Sequence, residues 1–166
     1  MESYDTYFVQ LRCEASTREV GAFFMFNEVI YMPEILKNPI SEIYERWNKA
    51  IEPVVGEGNF SMDRSQTLAS GKKNYARLYM LGNVLTEGDL EGDECATVPT
   101  IQIECFATGA APLAKVYQID EKSHQSMIDM GFRRTYGPEL MGNADDSIKR
   151  LVSRYTRIYT GQLLGK

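Results

Sequence analysis

The chain has 166 residues, enough for one domain that buries about two thirds of the surface its unfolded chain would expose. Hydrophobic residues make up 43% and charged residues 25% of the sequence, which is ordinary globular usage and argues against a disordered chain. The formal net charge of −5 argues against a surface coated with phosphate-binding cations, and therefore against recognition of a DNA sequence.

The beginning of the chain predicts a β-hairpin that extends the domain over residues 1–38. Residues 7–13 alternate apolar and polar side chains, which is the two-residue period of a strand. Residues 20–32 are rich in aromatic and β-branched side chains, and residues 16–19 supply a turn. No basic segment typical of a signal peptide is present, and the most apolar stretch, residues 22–32, is too short to span a bilayer. We therefore expect no membrane anchor.

A helix is predicted after Asn38. The side chain of Asn38 can cap the free N–H groups of a first turn, and proline suits the first helical position, which Pro39 would occupy. Apolar side chains then follow at helical spacing, at Ile40, Ile43, Tyr44, Trp47 and Ile51. We interpret this stripe, including Trp47, as core rather than as a binding surface, and we expect Pro53 to end the helix.

Two strands are predicted in the middle of the chain. Residues 74–83 form an apolar run. Residues 98–107 alternate between apolar and polar side chains, which predicts one core face and one mixed face. The connection between them, residues 86–94, is long for a hairpin and strongly acidic. Residues 56–73 show no clear period and predict a loop.

The main helix is predicted over residues 109–130, with Pro112 near its start. Its apolar residues that can share one face are Val116, Ile119, Met127 and Met130. Gly131 stands where a left-handed residue ends a helix, and Phe132 can fold back onto the last turn.

The last part of the chain predicts a short strand over residues 132–136, a turn at residues 137–139 and a strand over residues 150–159. The segment from Asp145 onwards also fits a helix, whose apolar face would be Ile148, Leu151, Val152 and Tyr155. Tyrosine, threonine and isoleucine dominate its second half and favour the strand.

These elements together predict an α+β fold. We expect a single domain over residues 39–166, built from a mostly antiparallel sheet with two main helices packed on one face. The β-hairpin of residues 1–38 would be an extension of this domain.

The sequence offers little for catalysis or metal binding. His124 is the one base available to a Ser–His–Asp arrangement, and Asp120 lies one turn before it, so a hydrogen bond on the helix surface explains the pair. Cys13, Cys95 and Cys105 form no CxxC pair, and with one histidine the chain lacks the ligands of a structural zinc site. No glycine loop has the spacing that cradles phosphates. We therefore predict no catalytic residues, no cofactor and no metal.

Two groups of charged residues are candidates for an interface. The acidic candidates are Asp89, Glu91, Asp93 and Glu94. The basic candidates are Arg133, Arg134, Arg154 and Arg157. The acidic group does not follow the calcium-loop pattern, so it predicts either a solvated loop or a contact with a basic neighbour.

In a ring, the acidic loop of one subunit could meet the arginines of the next subunit through a heterologous contact that closes. Within the last strand, Arg150 and Arg154 would share a face and Arg157 would point to the other face. Charge reversal at Arg133 and Arg134 is then expected to break the assembly without unfolding the subunit.

Four segments carry a resemblance to a known family. They are Tyr75–Asn83 (YARLYMLGN), Gly88–Thr97 (GDLEGDECAT), Met130–Pro138 (MGFRRTYGP) and the closing segment Arg150–Tyr159. Over about residues 40–160 the chain resembles the tail terminator proteins, also called tail completion proteins, of long-tailed bacteriophages of Gram-positive bacteria. The helix–Gly–Phe–Arg–Arg junction is the most specific part of the resemblance.

The resemblance implies a structural virion protein made in the host cytoplasm. Its subunits would form a ring, usually of six, that caps the finished tail tube and faces the head-completion (stopper) protein, with DNA only as passing cargo. It implies no reaction, no cofactor and no membrane. Residues 84–97 and 133–142 are, by resemblance, candidates for contacts with the ring or with the major tail tube protein. Residues 1–38 do not match the family pattern.

Three alternatives stay open. A head–tail adaptor or stopper of the phage neck would bind on the portal side. A small α+β enzyme or ligand-binding domain would need a polar pocket with a perturbed titratable group. A cellular regulatory or adaptor domain would be monomeric.

Overall fold

A computed structural model describes residues 35–63, 73–90, 92–143 and 145–164. The elements, in chain order, are α1 (Ile40–Val55), β1 (Phe60–Ser61), β2 (Asn74–Gly88), β3 (Glu94–Ala107), α2 (Pro112–Asp129), β4 (Arg133–Met141) and β5 (Lys149–Thr156). The predicted N-terminal hairpin, up to residue 34, lies outside the described residues, as do residues 64–72 of the predicted loop.

The described strands form one sheet in the order β1-β2-β3-β5-β4. Strand β1 is parallel to β2, while β2, β3, β5 and β4 are paired antiparallel. Two helices with a mostly antiparallel sheet confirm the α+β prediction.

Both helices pack on the same face of the sheet, which we call the helix face. Strand β3 contributes Ile101, Ile103 and Cys105 to it, all buried. The helices contribute Ile43, Trp47, Ile51, Val116, Ile119 and Met127 to the same core. The opposite side, the far face, receives the alternate residues of each strand, among them Gln102 and Glu104 of β3.

Helix α1 begins at Ile40, with Pro39 as its N-cap rather than its first helical residue as predicted, and it ends later than predicted. The Asn38 Oδ1 accepts a hydrogen bond from the Ile40 N–H at 3.0 Å, which satisfies one of the free N–H groups of the first turn. The prediction that Pro53 ends the helix is wrong, because Pro53 lies inside the last turn. A proline there costs only one late hydrogen bond, and the Gly56 N–H still donates to the Glu52 carbonyl at 2.8 Å.

Helix α2 ends as the sequence predicts. Gly131 is left-handed, with φ of 84°. The N–H of Gly131 donates to the Ile128 carbonyl and that of Phe132 to the Met127 carbonyl, each at 2.9 Å. Phe132 is buried against the core, which confirms that it folds back onto the last turn.

Strands β2 and β3 form a longer hairpin than predicted. Residues 86–94 were expected to be a loop, but β2 continues to Gly88 and β3 starts at Glu94. Pairing persists because register shifts, the first between Met80 and Gly82, absorb the mismatch between the strands. We call residues 81–90 and 92–95 the arm.

The two last strands correct one expectation and confirm another. The turn expected at residues 137–139 is wrong, because β4 continues to Met141 and the extra residues form an irregularity between Tyr136 and Glu139. Strand β5 confirms the strand over the alternative helix, although it ends at Thr156. None of the described helices is long and apolar enough to cross a bilayer.

Candidate assembly surface

The acidic candidates lie at the tip of the arm. Asp89 is exposed, and its Oδ1 accepts a hydrogen bond from the Asp93 N–H at 2.8 Å. Glu94 is half-buried, and its Oε2 accepts a hydrogen bond from the Leu36 N–H at 3.1 Å. Glu91 lies outside the described residues. The three described carboxylates are therefore grouped at one end of a hairpin rather than along a loose loop.

The arm also exposes large apolar side chains, which the sequence patterns did not predict. The exposed fractions are 43% for Leu81, 68% for Val84, 50% for Leu85 and 107% for Leu90. Val84 and Leu85 are consecutive strand residues, so the hairpin exposes large apolar side chains on both of its faces. The signal in the sequence was the apolar pair Val84-Leu85, which continues the β2 run past its expected end.

Two of the basic candidates lie on the far face, in the β4–β5 half of the sheet. Arg133 is exposed and is paired in register with Thr156. Arg154 is exposed as well, with its Nε 2.8 Å from the Gln102 Oε1 and its guanidinium 4.9 Å from the Tyr136 ring centroid. Arg150 shares this face with Arg154, as predicted.

We define the arginine patch as Arg133, Arg150 and Arg154 together with Tyr136 and Met141. Register pairing places all five on the far face, since Tyr136 is opposite Arg154 and Met141 is opposite Arg150. Met141 is 37% exposed. The patch therefore combines arginine, aromatic and apolar side chains, and the exposed carboxylate of Glu139, paired in register with Val152, lies on the same face.

The other two basic candidates hold the subunit together internally. Arg134 lies on the helix face, with its Nη2 2.8 Å from the Asp120 Oδ2 and 2.8 Å from the Tyr155 hydroxyl. Arg157 donates a hydrogen bond to the Met130 carbonyl at the end of α2. A reversal at Arg134 would place a second carboxylate beside buried Asp120, so it is no longer expected to spare the fold.

The predicted pair of Asp120 and His124 is wrong. Asp120 is buried and bound instead by Arg134 and by the Ser153 hydroxyl, which donates to Asp120 Oδ1 at 2.7 Å. The His124 ring lies against Tyr155, with centroids 5.9 Å apart. Burial, together with Arg134, lowers the pKa of His124, while Asp120 opposes this shift. This cluster ties α2 to the sheet, and it places no hydroxyl or thiol nucleophile in a hydrogen bond with His124.

A second polar network lies on the far face, around Glu104. Its Oε2 is 2.6 Å from the Arg77 Nη2 and 2.9 Å from the Arg150 Nη2. Its Oε1 accepts hydrogen bonds from the Tyr79 hydroxyl at 2.6 Å and from the Gln102 amide at 2.7 Å. Burial alone would raise the pKa of Glu104, but these four donors outweigh it and lower the pKa to about 2. The carboxylate is therefore held ionised as a structural centre.

A ligand-binding domain, the alternative function, would need a metal site or a polar pocket among the described residues. No group of three or more His, Cys, Asp or Glu side chains among them could hold a metal ion. A depression of about 430 Å³ lies between α1 and α2, lined among others by Arg46, Lys49 and Lys122. Lys49 and Lys122 are exposed and long, so the depression offers flexible cations rather than a pre-formed polar pocket.

No protein-family model matches the chain, and no curated protein matches its sequence.

Proposed function

We propose that this protein is a tail terminator of a long-tailed bacteriophage, a structural subunit whose copies form a ring on the end of the tail tube. The observation that carries the proposal is the arm, which exposes four large apolar side chains beyond the body of the domain. In the assembled tail, a neighbouring subunit of the ring, the major tail tube protein and the head-completion protein would cover these side chains.

The energetics favour a partner for the arm. Burying one leucine or valine side chain contributes about 1.5–3 kcal/mol relative to leaving it in water. Leu85 and Leu90 are exposed in the monomer, so burying them against a partner would contribute favourable free energy to association. Exposed hairpins of this kind are also an aggregation risk, which assembly removes.

The location of the arm supports the same proposal. Thr156, the last residue of β5, is paired with Thr100 of β3 and with Arg133 of β4. Beyond this row β2 and β3 continue without β5, apart from one bridge between Thr97 and Tyr159, so the arm and Arg133 are at the same end of the sheet. The two regions that the family resemblance marks for ring or tube contacts, residues 84–97 and 133–142, contain most of the arm and all of β4.

The first experiment is light scattering on the purified protein at several concentrations and two salt levels, alone and with tail tube protein. A closed oligomer near six subunits supports the proposal, as does a monomer that forms rings only with tube protein. A strict monomer that ignores tube protein overturns it. Binding to portal-side proteins without binding to tube protein would favour the adaptor or stopper instead.

Matched variants connect this result to the arm. The double variant Leu85→Ser/Leu90→Ser is expected to lose ring formation and the ability to stop tube elongation, with an unchanged urea midpoint. Leu113→Ser is the control, because Leu113 is 45% exposed but lies in the first turn of α2. If both variants assemble equally well, the apolar residues of the arm are not required for ring formation.

A further inference from the structure

The arm and the arginine patch complement one another in charge. The arm carries Glu87, Asp89, Asp93 and Glu94. The patch carries three arginines, of which Arg150 is paired with Glu104, so Arg133 and Arg154 supply its accessible positive charge beside the exposed Glu139. Neither Glu87 nor Arg133 takes part in an ion pair within the described ranges. Both are exposed, so each is accessible to another molecule.

The apolar surfaces are complementary too. The arm presents Leu85 and Leu90, and β4 presents Leu140 at 48% and Met141 at 37% exposure. Strand β4 is the last in the described strand order, so its outer edge is a position where a further chain can be added to the sheet.

Geometry separates the arm tip from the patch of its own subunit. Thr100 of β3 lies level with Arg133 of β4, because both are paired with Thr156 of β5. Glu94 is six residues further along β3 from Thr100. At about 3.3 Å per residue along a strand, that is about 20 Å. This exceeds the Debye length of about 8 Å at physiological ionic strength, so the charges at the tip interact weakly with Arg133 of the same subunit.

We propose that the arm of one subunit docks on the arginine patch and on β4 of a second copy of this chain. The contact is heterologous, since the two surfaces differ, and it therefore propagates from subunit to subunit until a ring closes. The inference rests on the proposed function in one respect, because it names the interface by which that ring would form.

The test is charge reversal with rescue. Glu87→Arg and Arg133→Glu are each expected to weaken association at least about tenfold, because close charge pairs at interfaces couple by about 1.5 kcal/mol or more. The double variant Glu87→Arg/Arg133→Glu, with both changes in one chain, is expected to return to within about threefold of the unmodified protein. Glu45→Arg and Lys122→Glu, exposed charges on α1 and α2, are controls that should assemble normally.

Hydrogen exchange provides an independent readout of the same contact. Amides of the arm and of residues 133–141 are expected to become protected together as concentration rises and subunits assemble. Rings that form normally from both single variants, or protection confined to the helices, would overturn the docking proposal while leaving the terminator function standing. A protein that stays monomeric with tube protein present fails at the earlier step, in the function itself.

Discussion

Arg133 and Arg134 are neighbours in sequence but lie on opposite faces of the sheet, because side chains alternate along a strand. Arg133 points to the far face and is exposed. Arg134 points to the helix face, where it binds Asp120 and Tyr155. Of these two consecutive residues, Arg133 is therefore a candidate for contact with another subunit, whereas Arg134 stabilises the interior of its own subunit.

This contrast predicts different effects of charge reversal. Arg134→Glu is expected to lower the free energy of unfolding by about 3–5 kcal/mol, because it leaves buried Asp120 without its counter-charge. Arg133→Glu is expected to change it by less than about 0.5 kcal/mol. Urea unfolding of both variants checks the prediction, and equal loss of stability would contradict it.

His124 predicts a dependence of stability on pH. Its pKa in the fold is lowered by burial and by Arg134, with Asp120 acting in the opposite direction and Tyr155 against its ring. Below the unfolded pKa of about 6.5 the unfolded chain binds more protons at this site than the fold does, so stability decreases as the pH falls from there. The urea midpoint should drop more between pH 7.5 and pH 5.5 in the unmodified protein than in His124→Gln. A larger drop in the variant would contradict this.

Glu104 predicts a loss of stability in the same direction, as the pH falls, but in a more acidic range. Its pKa is lowered to about 2, so its stabilising contribution is complete above the unfolded value of about 4.3 and is lost as the pH falls towards 2. Glu104→Gln should destabilise the fold by about 3 kcal/mol at pH 7, since Arg77 and Arg150 lose a buried carboxylate, and by less at pH 3. Glu139→Gln, an exposed carboxylate on β4, is the control.

At the scale of elements, the sequence patterns located each described helix and long strand but underestimated the lengths of β2, β3 and β4 and placed the end of β5 too late. β4 passes through Gly137 and Pro138, which are typical of turns. The strand continues because its irregularity accommodates both residues while pairing with β5 resumes at Glu139. Hydrogen bonding to the neighbouring strand β5 therefore outweighs the local preference of these two residues for a turn.

Gly137 gives a test of that irregularity. Its φ is 78°, and a Cβ there would be 2.2 Å from the Val152 carbonyl oxygen. Gly137→Ala is expected to cost about 3 kcal/mol, combining a left-handed backbone with a clash against main chain. Gly142→Ala meets nothing within 4 Å and should be close to neutral. Thermal unfolding compares the two, and a neutral Gly137→Ala would show that β4 can rearrange here.

At the scale of the whole molecule, two groups of like charge, the acidic residues of the arm and the arginines of the patch, lie on separate parts of the surface. The chain has a net charge of −5, its arginine patch lies on one half of the far face, and four of its 23 acidic residues are grouped on the arm. Such segregation steers association between copies more than it adds to the stability of one copy.

Salt should therefore weaken self-association. Raising the ionic strength from about 0.05 M to about 0.5 M shortens the range of exposed charges several-fold, and the apparent dissociation constant for assembly is expected to rise at least about tenfold. Analytical ultracentrifugation measures it, and Leu113→Ser should show the same salt dependence as the unmodified protein. An assembly indifferent to salt would mean that the apolar residues of the arm dominate the contact.

The α+β class, the core face of both helices, the cap at Gly131 and the strand character of β5 could all be predicted from sequence. Each of these depends on residues a few positions apart, whose spacing decides which side chains share a face. The role of Arg134, the Glu104 network and the exposure of the arm could not. Arg134 meets a residue 14 positions away, and Trp47 donates to Ser123 across 76 positions. Such partners are brought together by the strand order β1-β2-β3-β5-β4 and by the packing of the helices on it, which local spacing does not encode.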